Sequence, residues 1–226
     1  FPNTLETVVS AADNVLRHEF DILGTGLRSW GEEINWLQDV NLGYNWPAVV
    51  CGDQDYSQPS ENGADIKIPW ELSRFQHLVV LGQAWQLTRD EKYADELITQ
   101  WEHWLNVNPF YHGINWTNAM EAGIRAVNLL FATSLITDSP NWTQNHNDLL
   151  NRSLREHGQY IENNLEVFFR DGRNVSGNHL LANLCALGII GISLPDSRES
   201  ERWRRAGYKG LESEIKRQVL GDGFFF

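Results

Sequence analysis

The residues best suited to chemistry are Asn178 and His179, within RNVSGNHLLANLCALGII, Arg173 to Ile190. Leu180, Leu181, Leu184, Leu187 and Ile190 recur behind them at helical spacing, with Ser176 as N-cap and Gly177 as a narrow entry. The spacing therefore predicts a helix that begins near Asn178. An amide, an imidazole and the unpaired N–H groups at the positive end of a helix suit a carboxylate or another anion. The same pair admits a structural reading, with Asn178 as a cap and His179 as a satisfied histidine, and the stretch alone leaves both open.

Two further groups have chemistry-bearing types at helical spacing. After Pro69, Glu71, Arg74 and His77 stand three apart, with Trp70 one turn before Arg74 and Lys67 preceding them. In GINWTNAMEAGIR, Asn115 and Trp116 occupy a loop, and Glu121 and Arg125 lie one turn apart on the helix that follows. Ion pairs between Glu71 and Arg74 and between Glu121 and Arg125 are the simpler account of the charges. In an antiparallel array, however, alternate helices start on the same side, so the helix starts near Pro69, Thr117 and Ser176 are expected to converge on one concave rim. That rim would hold Lys67, Arg74, His77, Asn115, Trp116, Asn178 and His179, a cationic, amide-rich and aromatic lining that suits an acidic sugar better than a neutral one.

The elements that must position these groups read as helices. Asn3 opens an amphipathic helix expected to end near Leu23-Gly24, and the Gly- and Pro-rich stretch to about residue 66 is expected to be irregular. Helices follow from Pro69 to Thr88-Arg89, from Asp90 to Pro109, from an Asn118/Glu121 capping box to Asp138, from Asn147 to Phe169, from Asn178, and from an Asp196/Glu199 capping box to Leu220. Short links between helices and no convincing strand give an all-α class, an incomplete (α/α) toroid of antiparallel helical hairpins in a single domain over 1–226.

The chain has 226 residues and a net charge of −12, which argues against nonspecific binding to nucleic acid or to an anionic membrane. No apolar run reaches the length of a membrane span. Two cysteines, Cys51 and Cys185, stand far apart in no metal-like spacing, so neither a disulfide framework nor a zinc site is implied, and no metal or cofactor is expected. The ten tryptophans serve either helix packing or stacking on sugar faces, and packing is the better account for most of them. The missing initiator Met and the terminal Phe224-Phe225-Phe226 lead us to expect a fragment of a longer protein.

Several ordered stretches also carry a resemblance. WELSRFQHL after DIK, then NPFYHGINWTNAMEAGIRAVNLL, Asn178-His179 and QVLGDGFFF, with a weaker echo at HEFDILG near His18, resemble the N-terminal helical domain of the heparinase II/III family of polysaccharide lyases. The resemblance implies a toroid followed by a β-sandwich domain outside this chain, a periplasmic or secreted location, and β-elimination on a uronic acid. It also implies that Asn178, with His179 beside it, neutralises the sugar carboxylate, and that the acid and base residues, a tyrosine and a later histidine, lie beyond Phe226.

Two other functions remain open on the sequence. One is a noncatalytic carbohydrate-binding domain. The other is a glycoside hydrolase on a similar toroid, which needs a pair of carboxylic acids across the scissile bond. Glu71 and Glu121 are the candidates for that pair, and each has an arginine within a turn, which suits an ion pair better than a general acid.

Overall fold

A computed structural model describes residues 4–51, 63–170 and 173–223. The segment 52–62, the expected cap Asn3 and the terminal phenylalanines lie outside the described residues. The chain divides into two compact units, residues 1–117 with 128–146 and residues 118–127 with 147–226. As expected, it is predominantly α-helical.

In the first unit, α1 (Thr4–Leu16) buries Ala12 and Val15 from its apolar stripe. It ends earlier than its pattern suggests, because His18 takes a left-handed backbone (φ 52°) and the chain turns into a hairpin of β1 (Glu19–Asp21) and β2 (Leu27–Ser29). The cause is tertiary: His18 Nδ1 donates to the Gly31 carbonyl (2.9 Å) and Nε2 to Glu96 Oε1 (3.0 Å). A second short hairpin joins β3 (Gln38–Asp39) to β4 (Tyr44–Asn45), so two hairpins interrupt the stretch expected to be irregular.

Both ring nitrogens of His18 face acceptors, so the imidazolium fits this site better than the neutral ring. The hydrogen bond to Glu96 raises the His18 pKa above its ordinary value, with burial opposing in part. Burial by itself would raise the Glu96 carboxyl, but hydrogen bonds from His18 and Gln100 outweigh it and the net shift is downward. A raised histidine stabilises the fold fully below its unfolded pKa and loses that contribution as pH rises through the folded one. A lowered carboxylate contributes above its unfolded pKa and loses that as pH falls. Parent and His18→Gln should therefore differ most between about pH 5 and 6.5, by about 1–2 kcal/mol, and converge in mild alkali. Urea melts across that range measure the gap, and a gap that widens with rising pH would contradict the pairing.

The single helix expected after Pro69 is two helices, α2 (Lys67–Leu72) and α3 (Gln76–Thr88). Phe75 sits between them at φ 63° with no exposed surface, its ring edge-on to Trp36 (6.2 Å) and Trp104 (5.3 Å). Asn128 Nδ2 donates to the Arg74 carbonyl at the break (2.8 Å). Burial of one large ring and a side-chain donor thus replace helix continuity, which no helical periodicity could report. Asp90 then caps α4 (Glu91–Val107) by accepting from the Lys92 N–H (3.2 Å), and the two-residue link makes α3 and α4 antiparallel neighbours. Eight of the ten tryptophans are buried, which assigns most of them to packing.

The helix α5 (Ala119–Leu135) runs through Val127 in the second unit and continues in the first. The next helix, α6 (Gln144–Asn163), stops six residues before the expected Phe169. Asn164 closes it by donating from Nδ2 to the Tyr160 carbonyl (2.8 Å), and a hairpin of β5 (Phe168–Arg170) and β6 (Arg173–Val175) follows where no strand was expected.

In the second unit α7 (Asn178–Ser193) begins where its pattern predicts, and it packs along α8 (Arg198–Gln218). The α8 capping box is Ser197 with Ser200, one residue on from the Asp196/Glu199 pair expected, because the Ser200 hydroxyl is fully buried and returns the bond to the Ser197 N–H (2.9 Å).

Candidate carboxylate-binding site

Asn178 is the first residue of α7, and its side chain is exposed. The N-cap is Gly177, which brings no side-chain acceptor. Ser176, the expected cap, instead donates its hydroxyl to Glu214 Oε2 (2.7 Å). No side-chain cap therefore occupies the start of α7, and its positive end suits an anion, although the Leu180 N–H is already bound to the Gly177 carbonyl (3.1 Å).

His179 is held from behind. Its Nδ1 lies 2.8 Å from Glu166 Oε1, and its side chain keeps 39% of its surface exposed against 14% for Glu166. The Glu166 carboxylate also accepts from Asn118 Nδ2 (3.2 Å), from the Met120 N–H in the first turn of α5 (3.0 Å) and from Asn183 Nδ2 (3.2 Å). Its own N–H donates to Asn183 Oδ1 (3.0 Å). Glu166 thus joins the α6–β5 connector to the starts of α5 and α7. Sequence reasoning missed it, since its partners lie 13 to 48 residues away and no local pattern marks such a residue.

The Glu121/Arg125 pair from the sequence lies inside the second unit. Glu121 is 3% exposed and Arg125 1%. The Glu121 N–H donates to Asn118 Oδ1 (3.2 Å), which is one half of the expected capping box. Arg125 Nε donates to His157 Nε2 (2.9 Å), whose Nδ1 donates to the Ser153 carbonyl (2.7 Å). Burial first, then the adjacent Arg125 charge, lowers His157 to about 3, so the ring stays neutral and can accept from the guanidinium. Burial likewise lowers Arg125 to about 9, with the Glu121 carboxylate opposing. These groups serve the interior, where Arg125 is bound to His157.

The remaining candidates lie in the first unit. Lys67 is exposed at the start of α2. Trp70 is half-buried and donates from Nε1 to the Ile114 carbonyl (2.8 Å). Arg74 pairs with Glu71 at 2.5 Å, the ion pair the sequence offered as the simpler account. His77 packs against Phe20, Trp36 and Phe75, and burial lowers it to about 3, with Gln100 opposing, so it supplies none of the positive charge expected of it. Asn115 has no exposed surface and donates from Nδ2 to the Trp36 carbonyl (3.0 Å) and to Asn108 Oδ1 (2.8 Å). Trp116 is 1% exposed and donates from Nε1 to the Asn108 carbonyl (3.1 Å). Asn115 and Trp116 hold the turn after α4 in place here and present no surface to a ligand.

Among the described residues, no group of three or more His, Cys, Asp or Glu side chains is placed to hold a metal ion, and no helix is long and apolar enough to cross a membrane. Cys51 is half-buried, and burial pushes its thiol up to about 11, which leaves it a poor nucleophile.

Comparison with known proteins gives this geometry a family. The model of the heparinase II/III N-terminus matches residues 3–226. A heparin-sulfate lyase of Pedobacter heparinus is 28% identical over 222 residues, covering 95% of this chain and 29% of the relative. A heparin-sulfate lyase of Bacteroides stercoris is 24% identical over 234 residues, covering 94% of this chain and 31% of the relative. The crystal structure of heparan sulfate lyase HepC from Pedobacter heparinus superposes with a TM-score of 0.73 at 26% identity, over 98% of this chain and 31% of that one. The chain therefore spans about three tenths of the length of the relatives it matches. By a match over nearly its whole length, this chain belongs to the heparinase II/III family as its N-terminal domain.

Proposed function

We propose that residues 1–226 are the substrate-binding helical domain, an incomplete (α/α) toroid, of a polysaccharide lyase that acts by β-elimination on a uronic-acid-containing polymer. The observation that carries this reading is the exposed Asn178 on an α7 N-terminus with no side-chain cap, beside a half-open His179. In β-elimination a base removes the ring proton next to the sugar carboxylate, those electrons form the new ring double bond, and the glycosidic oxygen leaves with a proton from an acid. The ring proton is hard to remove until donors match the charge that grows on the carboxylate. Asn178 and the α7 start would supply such donors. The acid and base would come from the part of the protein beyond this chain, together with a β-sandwich domain, in a periplasmic or secreted enzyme. The similarity to heparin-sulfate lyases makes heparan sulfate the first substrate to try.

The hydrolase alternative is weaker, because Glu71 is ion-paired with Arg74 and Glu121 is buried, so neither is offered across an open cleft. A noncatalytic binding domain would share the Asn178 site and differ in turnover by the full-length protein.

Titration calorimetry with heparan sulfate oligosaccharides tests the reading. The 226-residue chain should bind weakly and release no unsaturated product, and Asn178→Ala should weaken binding by roughly 1–3 kcal/mol. An Asn178→Ala chain that binds as tightly as the parent would remove this residue from the site.

A further inference from the structure

Glu166 lies in the connector between α6 and β5, outside the helix that carries Asn178 and His179, and its carboxylate is surrounded by hydrogen-bond partners. Each of its carboxylate oxygens faces two nitrogens. Oε1 faces Asn118 Nδ2 and His179 Nδ1, and Oε2 faces the Met120 N–H and Asn183 Nδ2. Three of these four partners are amide nitrogens, which can only donate. All four lone-pair positions are therefore filled by donors, and the imidazole must join them as a donor from Nδ1. A carboxylate that also holds the first turn of α5 and is only 14% exposed cannot follow a mobile ring, so the ring is held to it.

We propose that Glu166 is a positioning residue: by taking the Nδ1 proton of His179 it fixes the tautomer and orientation of the ring, leaving Nε2 as the single ring atom offered to a ligand at the start of α7. Among the described residues nothing hydrogen-bonds to that Nε2. The consequence is chemical. A free imidazole in water favours the proton on Nε2, and such a ring would offer an N–H there while neutral. The Glu166-bound ring offers a lone pair at Nε2 while neutral and an N–H only as the cation. A substrate hydroxyl beside the uronate carboxylate is then the group His179 accepts from at high pH, and Asn178 with the α7 N–H groups is left as the pH-independent partner of the carboxylate. This division of roles rests on the proposed function, whereas the tautomer itself does not.

Long-range proton–nitrogen correlation spectra of the 15N-labelled chain at about pH 9, well above the ordinary histidine range near 6.5, test it, with His179→Gln used to assign the signals. The expected result is a protonated, pyrrole-like Nδ1 and an unprotonated, pyridine-like Nε2. A parent protein with the proton on Nε2, or with the averaged shifts of a free ring, overturns the proposal without any further variant. In Glu166→Ala the two shifts should move toward the free-ring average while Asn178 keeps its sequence and helix. Retained Nδ1–H character in a folded Glu166→Ala would equally overturn the proposal. Because the carboxylate also holds Met120 and Asn183, Glu166→Gln serves as the second variant: it keeps one acceptor oxygen and should retain more of the parent pattern than alanine does. Addition of a heparan sulfate tetrasaccharide separates the two readings. Perturbation of Nε2 in the parent, with binding about tenfold weaker in Glu166→Ala, supports both. The expected tautomer with no response to the sugar supports the role of Glu166 and removes uronate binding.

Discussion

On the lyase activity proposed above, Asn178→Ala in the full-length protein is expected to lower kcat on heparan sulfate by about 10²–10³-fold, the usual consequence of removing one donor that meets charge developing in the transition state. The amide would stand at the α7 start, where Gly177 supplies no competing acceptor, so its N–H can be directed wholly at the substrate. In the proposed role its contact to the ground-state carboxylate would be a single hydrogen bond to an already anionic group, so binding should change less than turnover. Asn178→Asp should be more damaging than alanine, because it sets a second carboxylate against the first. The rise of unsaturated product under saturating polymer measures kcat directly. A turnover within a few fold of the parent would assign charge neutralisation to some other group.

The second large effect lies in how α7 meets α8. A Cβ added at Gly207 would stand 2.6 Å from the Gly188 Cα and N and 2.7 Å from the Leu184 carbonyl oxygen, all of them backbone atoms of α7. Backbone cannot rotate aside as a side chain does, so the two helices must separate to admit a single methyl group. Gly207→Ala should therefore cost about 2–3 kcal/mol net, even though alanine in place of glycine favours the helix itself by about 1 kcal/mol. The melting temperature should fall by about 5–10 °C. Gly188 faces the same contact and provides the control. A Cβ there meets only Gly207 atoms, at 3.7 and 4.0 Å, which is ordinary contact. Gly188→Ala should be neutral or stabilising by up to about 1 kcal/mol. Equal effects at the two positions would mean that helix propensity and not interhelical approach sets their energetics. Because the start of α7 carries Asn178, the close approach also bears on the site.

Helical class, the start of α7 at Asn178, the Asp90 cap and the family were all legible in the sequence, because each is written in residues that neighbour one another along the chain. A helix start is encoded within a few positions, and a motif such as the Asn-His pair keeps its local meaning wherever the helix is placed. What only the tertiary structure decided was which polar residues face inward. Asn115 and Trp116 stand just before α5, and Glu121 and Arg125 stand on it, polar or aromatic candidates like Asn178 at the start of α7, yet they are buried while Asn178 is exposed. The break at Phe75 and the early end of α1 at His18 have the same origin, since the ring of Phe75 meets Trp36 and Trp104 and the ring of His18 is bound to Glu96, 78 residues on. Glu166 is the clearest case. A carboxylate in the sequence is a solvated charge by default, and it becomes the fixed partner of His179 only when donors from α5, α7 and its own connector surround it. Periodicity and spacing report the energetics of one element. Burial and the pairing of a charge depend on surfaces that meet only after the chain has folded.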